Sequence, residues 1–90
     1  MKVEFDPSKN VSNKLKHGID FIEAQGLWDD PRRVEFETQF VNEKRYGIIA
    51  EYSGKLWCAI YTWRNKVVRI ISVRRARDYE EDIYSGNDDR

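Results

Sequence analysis

Between Val34 and Val73 the sequence is a succession of extended-type runs broken only by two-residue turn signals, which restricts the fold more than any other feature. Val34, Phe36, Thr38 and Phe40 alternate with Arg33, Glu35, Glu37 and Gln39, a period of two with one wet face. Asn42-Glu43 turns the chain into Arg45–Tyr52, where Tyr46, Ile48, Ala50 and Tyr52 share a face. Ser53-Gly54 is a tight hairpin signal. Leu56, Cys58, Ile60 and Thr62 then alternate with Trp57, Ala59, Tyr61 and Trp63. Both sets are largely apolar, as a central strand covered on both sides requires. Asn65-Lys66 turns again, and Val67–Val73 is a last strand, apolar except at Arg69 and Ser72. Strands joined by such short turns predict a four-stranded antiparallel meander.

The flanks carry helical spacing. Val3-Glu4-Phe5 alternates, but it suffices only for a short edge strand. Asp6-Pro7 reads as a helix start, because Asp caps free amides and Pro lacks the N–H that would go unpaired at the first helical position. Val11 and Leu15, four apart, are the expected inner face; Lys9, Asn13 and Lys16 form a separate polar stripe. Gly18 suits a left-handed stop. Asp20 and Glu23 match a capping box, with Ile19 as a hydrophobic staple against Ala24. Phe21, Ala24, Leu27 and Trp28 give this second helix its buried face, and Asp29-Asp30-Pro31 ends it. Past the strands, Arg75–Tyr84 returns to helical spacing with Ala76, Tyr79 and Ile83 on one side. Ninety residues leave little room for a second core. The expectation is one α+β domain over residues 1–84: two N-terminal helices, the four-stranded antiparallel sheet with a short edge strand, and a C-terminal helix. The polar stretch 85–90 reads as a tail.

Net charge is zero, yet its distribution is lopsided. From Tyr52 to Arg77 there is no acid, while Lys55, Arg64, Lys66, Arg69, Arg74, Arg75 and Arg77 contribute 7 of the 16 basic side chains, leaving 9 against all 16 acids elsewhere. One basic surface on an otherwise acidic protein is the implied arrangement. Guanidinium groups are costly to bury unpaired and grip phosphate or carboxylate with a two-pronged fork. Pairing with Glu35, Glu37, Glu80 and Glu81 is the structural alternative. The single Cys58 excludes an internal disulfide framework and a multi-cysteine zinc site, and fits a reducing compartment. No apolar run is long enough to span a bilayer, and MKVEFDPSKN has no signal-peptide core, so the expected location is cytoplasmic, away from membranes.

The sequence has no glycine-rich phosphate loop, no HExxH and no GxSxG. What it does offer is one histidine, several arginines and lysines, tyrosines, and acids on the last helix. That inventory suits cleavage of RNA without metal or cofactor: the 2′-hydroxyl attacks the adjoining phosphorus, a base removes its proton, cations stabilise the anionic phosphate, and an acid protonates the departing 5′ oxygen.

KHGI at 16–19, DDP at 29–31, RY at 45–46, YTWR at 61–64, RIISVRRA at 69–76, Glu80 and Tyr84 together resemble the BrnT family of toxins over nearly the whole chain. Phe5 stands where that family usually has Trp, and Val73 where it usually has Ala. The resemblance implies a RelE-like fold and a ribonuclease toxin of a type II toxin–antitoxin pair that cuts RNA and arrests translation. It also implies a ribbon-helix-helix antitoxin (BrnA-like) encoded adjacently, with operator DNA contacted only through the toxin–antitoxin complex.

On this reading the expected catalytic set is Lys16, His17, Arg64, Arg74 and Glu80. Histidine titrates near neutrality, Arg64 closes a strand, and Arg74 stands at a strand–helix junction within reach of Glu80. Lys9, Asn13, Arg45, Arg69, Arg75 and Tyr84 are expected to contact RNA, and Trp57, Tyr61, Trp63 and Arg77 to face the antitoxin. Structural alternatives stand beside each: a helix-end cation for His17, an ion pair with Glu35 or Glu37 for Arg69, a salt bridge for Glu80, and core packing for Tyr84 and the aromatic strand face. A basic module that binds nucleic acid or an acidic protein without chemistry is the competing function, and a sheet face used for oligomerisation is a third.

Overall fold

The computed structural model describes residues 1–38 and 42–86. The strands are β1 (Val3–Glu4), β2 (Val34–Thr38), β3 (Arg45–Tyr52), β4 (Lys55–Arg64) and β5 (Val67–Arg75); the helices are α1 (Pro7–His17) and α2 (Asp78–Gly86), with a 3-10 segment at Glu23–Asp29. Gln39 and Phe40, predicted to extend β2, and tail residues 87–90 lie outside the described residues.

The meander forms as the turn signals require: β2, β3, β4 and β5 pair antiparallel in sequence order. Both central residues of each tight hairpin have positive φ, 55° and 78° at Ser53-Gly54 and 52° and 69° at Asn65-Lys66, so the turns twist with the strands. The expectation of an antiparallel sheet with two N-terminal helices is corrected in two respects. β1 pairs parallel with β5, Val3 opposite Val68 and Glu4 opposite Arg69, giving a five-stranded mixed sheet in the order β1-β5-β4-β3-β2. Only α1 of the two expected N-terminal helices is α-helical. It starts at Asp6, whose carboxylate accepts from the amides of Ser8 (2.9 Å) and Lys9 (3.4 Å), and stops at left-handed Gly18.

The next segment, Glu23–Asp29, winds with three residues per turn, which puts Ala24 and Leu27, spaced by three, on one fully buried line that Phe21 precedes in the turn before it. The capping box still forms: the Glu23 amide donates to Asp20 (2.7 Å), and the Asp20 amide donates to Glu23 (3.0 Å). Gly26 allows the segment to lie against the Tyr52 ring, since a Cβ there would come within 2.6 Å of it.

The larger core lies between the sheet and the N-terminal layer, where Ile19, Phe21, Ala24 and Leu27 meet Ile48, Ala50, Trp57, Ala59, Tyr61, Val68, Ile70 and Val73. The smaller core is on the opposite face, where α2 brings Tyr84 to Ile49 and Cys58. β4 is the central strand of the five, covered on both faces as its composition predicts.

The helices are phased differently from the expectation. On α1, Val11 and Leu15 point outward, 59% and 84% exposed, and the inward side chain is Asn13. Its amide donates to the Val73 carbonyl (3.0 Å) and the Ile19 carbonyl (2.8 Å), and its oxygen accepts from the Val73 amide (3.2 Å). β1 pairs with β5 only around Val68 and Arg69, so Asn13 acts as a one-residue substitute strand on the exposed edge beyond. On α2, Glu80 and Tyr84 face inward, while Tyr79 and Ile83 are exposed. β5 extends to Arg75 rather than ending at Val73, so α2 begins at Asp78 instead of Arg75.

Candidate active site

The seven cations of the acid-free stretch do not share a surface. Strand alternation assigns them to faces, and one irregularity decides the outcome. Tyr61 pairs with Ile70 but Ile60 pairs with Ser72, so Ile71 is an extra residue in β5 and the parity of the strand inverts there. Arg69, opposite Thr62, and Arg74, opposite Cys58, therefore share the α2-covered face, whereas Arg75, opposite Trp57, joins the face covered by α1. Arg45 and Arg64 alternate onto the α2 face as well.

On that face Arg64, Arg69 and Arg74 are tied to acids. Arg69 Nη1 lies 2.7 Å from Glu4, its cross-strand neighbour, and not from Glu35 or Glu37. Arg64 approaches Glu43 at 3.6 Å at the far end of β4. Arg74 grips Glu80 with both prongs, at 2.7 and 2.9 Å, and the Arg77 amide donates to the same carboxylate at 2.8 Å. Burial alone pushes the Glu80 carboxyl up, but the Arg74 fork, the Arg77 amide and the Cys58 thiol outweigh it and hold it at about 2. Cys58 in turn is pushed up to about 12, first by burial and then by the Glu80 charge.

A carboxylate gripped in this way orients the Arg74 guanidinium, the structural alternative set beside the expected catalytic part of Glu80. Arg64 and Arg74, both in the expected catalytic set, are not brought together. Arg74 is opposite Cys58, six residues from Arg64 along β4, which is about 20 Å at the rise of a strand.

Other expected contacts are also absorbed by the fold. Asn13 is buried and bonded as described. Tyr84 is 8% exposed, beneath the Arg32 guanidinium, and donates to Asp30 at 2.7 Å, so it presents no ring for stacking. Asp30 accepts from the Glu51 and Arg32 amides as well, tying the 3-10 segment to β3 and α2. Burial pushes the Asp30 carboxyl up, and these bonds bring it below its ordinary value. Trp57 and Tyr61, expected at a partner interface, belong to the main core: Tyr61 packs against Trp28 and Tyr46 and donates to Glu35. Trp63, on the same strand face, is 49% exposed, and Arg77 is exposed at the start of α2.

Of the other cations of the stretch, Lys55 and Arg75 meet His17 where α1 ends. A cleft of about 270 Å³ is lined by His17, Gly18, Ile19 and Glu23 from the N-terminal layer, Tyr52, Ser53, Lys55 and Trp57 from the β3–β4 hairpin, and Arg75 from β5. The Arg75 guanidinium lies 5.5 Å from the Trp57 ring centre, which holds a cation over an aromatic face. Glu23, the one acid in the lining, is engaged by Lys14 at 2.7 Å and by the Asp20 amide. On the other side of His17 is a second hollow, lined by Lys9, Ser12, Asn13, Lys16, Phe21, Ile71 and Ser72.

His17 thus stands between two hollows, and Lys16, His17, Lys55 and Arg75 make no ion pair among the described residues. This band can hold a phosphate in either hollow with an imidazole beside it. Sequence reasoning put Lys16, His17 and Arg75 near the site but missed Lys55. Its only sequence signal is a lysine directly after a hairpin turn, and β3 and β4 bring it to His17.

A family model described as ribonuclease toxin, BrnT, of type II toxin–antitoxin system matches residues 5–80, a span that contains every cation of the band. No curated protein matches the chain.

Proposed function

The chain belongs to the BrnT family of ribonuclease toxins of type II toxin–antitoxin systems, and from that premise we propose that it cuts RNA in the cationic cleft at the end of α1. The observation that carries this reading is the convergence of His17, Lys55 and Arg75 from three separate elements, with no ion pair to any of them among the described residues. The chemistry is metal-independent attack of a ribose 2′-hydroxyl on its own 3′-phosphate, which leaves a 2′,3′-cyclic phosphate and a free 5′-hydroxyl. Lys55 and Arg75 hold the phosphate and stabilise the charge that gathers on it, Arg75 with a fork prearranged over Trp57. Imidazole exchanges protons near neutrality, so His17 serves the 2′-hydroxyl or the 5′ oxygen. Lys16 and Lys9, in the second hollow, hold the next stretch of the RNA backbone.

The rest of the reading follows from this activity. The protein acts in the cytoplasm to arrest translation, as a RelE-like toxin. A ribbon-helix-helix antitoxin encoded beside it neutralises it, and operator DNA is met only through that complex.

The test is cleavage of a single-stranded RNA by purified protein, alone and with ribosomes, in the presence of a chelator. The expected result is cleavage leaving cyclic phosphate ends, lost in His17→Ala. Binding that weakens steeply with salt but never cuts, in either condition, would instead identify a non-catalytic nucleic-acid module.

A further inference from the structure

We propose that the outward ridge of α1, built on Val11 and Leu15, seats an acidic amphipathic helix of the antitoxin; this rests on the toxin reading above. The ridge is apolar where a soluble helix is ordinarily polar. Val11 and Leu15 stand one turn apart on the same side, 59% and 84% exposed, while the opposite side carries Asn13 and its backbone bonds. Among the described residues these two side chains join neither hydrophobic core, and a pair four residues apart is the pattern that anchors a helix laid across another.

Charge selects the partner. From Pro7 to Ile19 the chain has Lys9, Lys14, Lys16 and His17 and no acid. Lys16 flanks the ridge on the side of the second hollow and Lys14, which also reaches Glu23, flanks it on the other, while Lys9 lies one turn from Asn13 and away from the ridge. A partner helix with carboxylates along the edges of its apolar stripe matches this ridge.

A second exposed apolar pair, Tyr79 and Ile83 on α2, is set among Asp78, Glu81 and Asp82 and repels the same partner. The ridge is also continuous with the proposed site, because α1 ends at His17, which lines both hollows. An acidic segment seated on Val11 and Leu15 and running past the end of the helix covers His17, Lys55 and Arg75. Docking and inhibition then become a single event.

The probe is the purified product of the reading frame adjoining this chain's gene, titrated against wild type, Val11→Glu/Leu15→Glu and Tyr79→Glu/Ile83→Glu, with RNA cleavage by each toxin measured in parallel. Loss of two anchor side chains is expected to weaken binding by roughly 100-fold or more in the α1 variant. That variant should cut RNA as wild type does and continue to cut in the presence of the probe. The α2 variant should bind and be inhibited as wild type.

Equal binding by the α1 variant and wild type would overturn the proposal, as would a loss confined to the α2 variant. No binding of the probe to wild type would also overturn it. A wild-type dimer, formed without the probe and abolished by Val11→Glu/Leu15→Glu, would assign the ridge to a second copy of the chain and overturn it too. A wild type that binds the probe through the ridge but cuts no RNA would leave the interface standing and remove the catalytic reading.

Discussion

The two faces of the sheet use their cations in opposite ways. On the α2 face, Arg64, Arg69 and Arg74 lie beside Glu43, Glu4 and Glu80, and the last pair is buried on the acid side. On the α1 face, Arg75 rests over Trp57 and makes no ion pair among the described residues, in a cleft with Lys55 and His17 whose one lining acid, Glu23, is engaged by Lys14. A guanidinium forked onto a buried carboxylate is part of the fold, since releasing it strands a charge away from water. A cation held over an aromatic ring at the rim of a cleft is positioned but still available. Which residues a basic sequence offers to a substrate is therefore decided by where the fold places the acids.

Changes on the α2 face should register as stability, and changes on the α1 face as activity. The largest effect is expected from Arg74→Ala, which leaves Glu80 buried and unpaired at a cost of about 3–5 kcal/mol, seen as a fall in thermal midpoint of more than about 12 °C. The fraction still folded should cut RNA normally. A near-wild-type melting curve would erase the contrast.

His17→Ala should lower cleavage by about 10²-fold or more, the scale of losing a positioned acid or base, while moving stability by less than about 1 kcal/mol. Cleavage rates and melting curves on the same sample check both halves.

Acid should act on the α2 face. Glu80 is held at about 2 when folded, against about 4.3 for a free Glu. Because the folded value is the lower one, the stabilisation is complete above the unfolded value and is lost as pH falls from about 4.3 toward 2. Asp30, also depressed, acts in the same direction. Denaturant melts between pH 7 and pH 2 should show this loss, and Glu80→Gln should flatten it.

The smallest effect is expected from Asn13→Ala, which unpairs the amide and carbonyl of Val73 for about 1–3 kcal/mol. It should loosen the β5 edge, seen as faster hydrogen exchange at Val73, without removing any cation from the cleft.

Much of the fold was legible because its information is local. Ser53-Gly54 and Asn65-Lys66 mark their hairpins within two residues, and Asp6, Gly18 and the Asp20–Glu23 box are caps that a reader can place. The 3-10 winding was signalled by Phe21, Ala24 and Leu27 at spacings of three, but such a spacing also fits one face of an α-helix. The phases of α1 and α2 were misread because apolar residues were assigned inward. In each helix an inner position belongs to a polar side chain whose partners come from elsewhere, Val73 for Asn13 and Arg74 for Glu80.

The site was legible only as residue types. His17, Lys55 and Arg75 are far apart in sequence and meet through tertiary structure alone. The extra residue Ile71 is what places Arg75 on the same face as His17 and Arg74 on the other. A strict period of two would have grouped Arg75 with Arg69.

The central claim is that the band around His17 cuts RNA and the acid-bound arginines do not. It is tested most directly by single-turnover cleavage rates for Arg75→Ala and Arg64→Ala, two arginines from opposite ends and faces of the sheet. The account predicts a loss of roughly 10²-fold for Arg75→Ala, the scale of removing one donor to a phosphate in the transition state, and a change within about threefold for Arg64→Ala. The reverse order, with Arg64→Ala inactive and Arg75→Ala close to wild type, would contradict it.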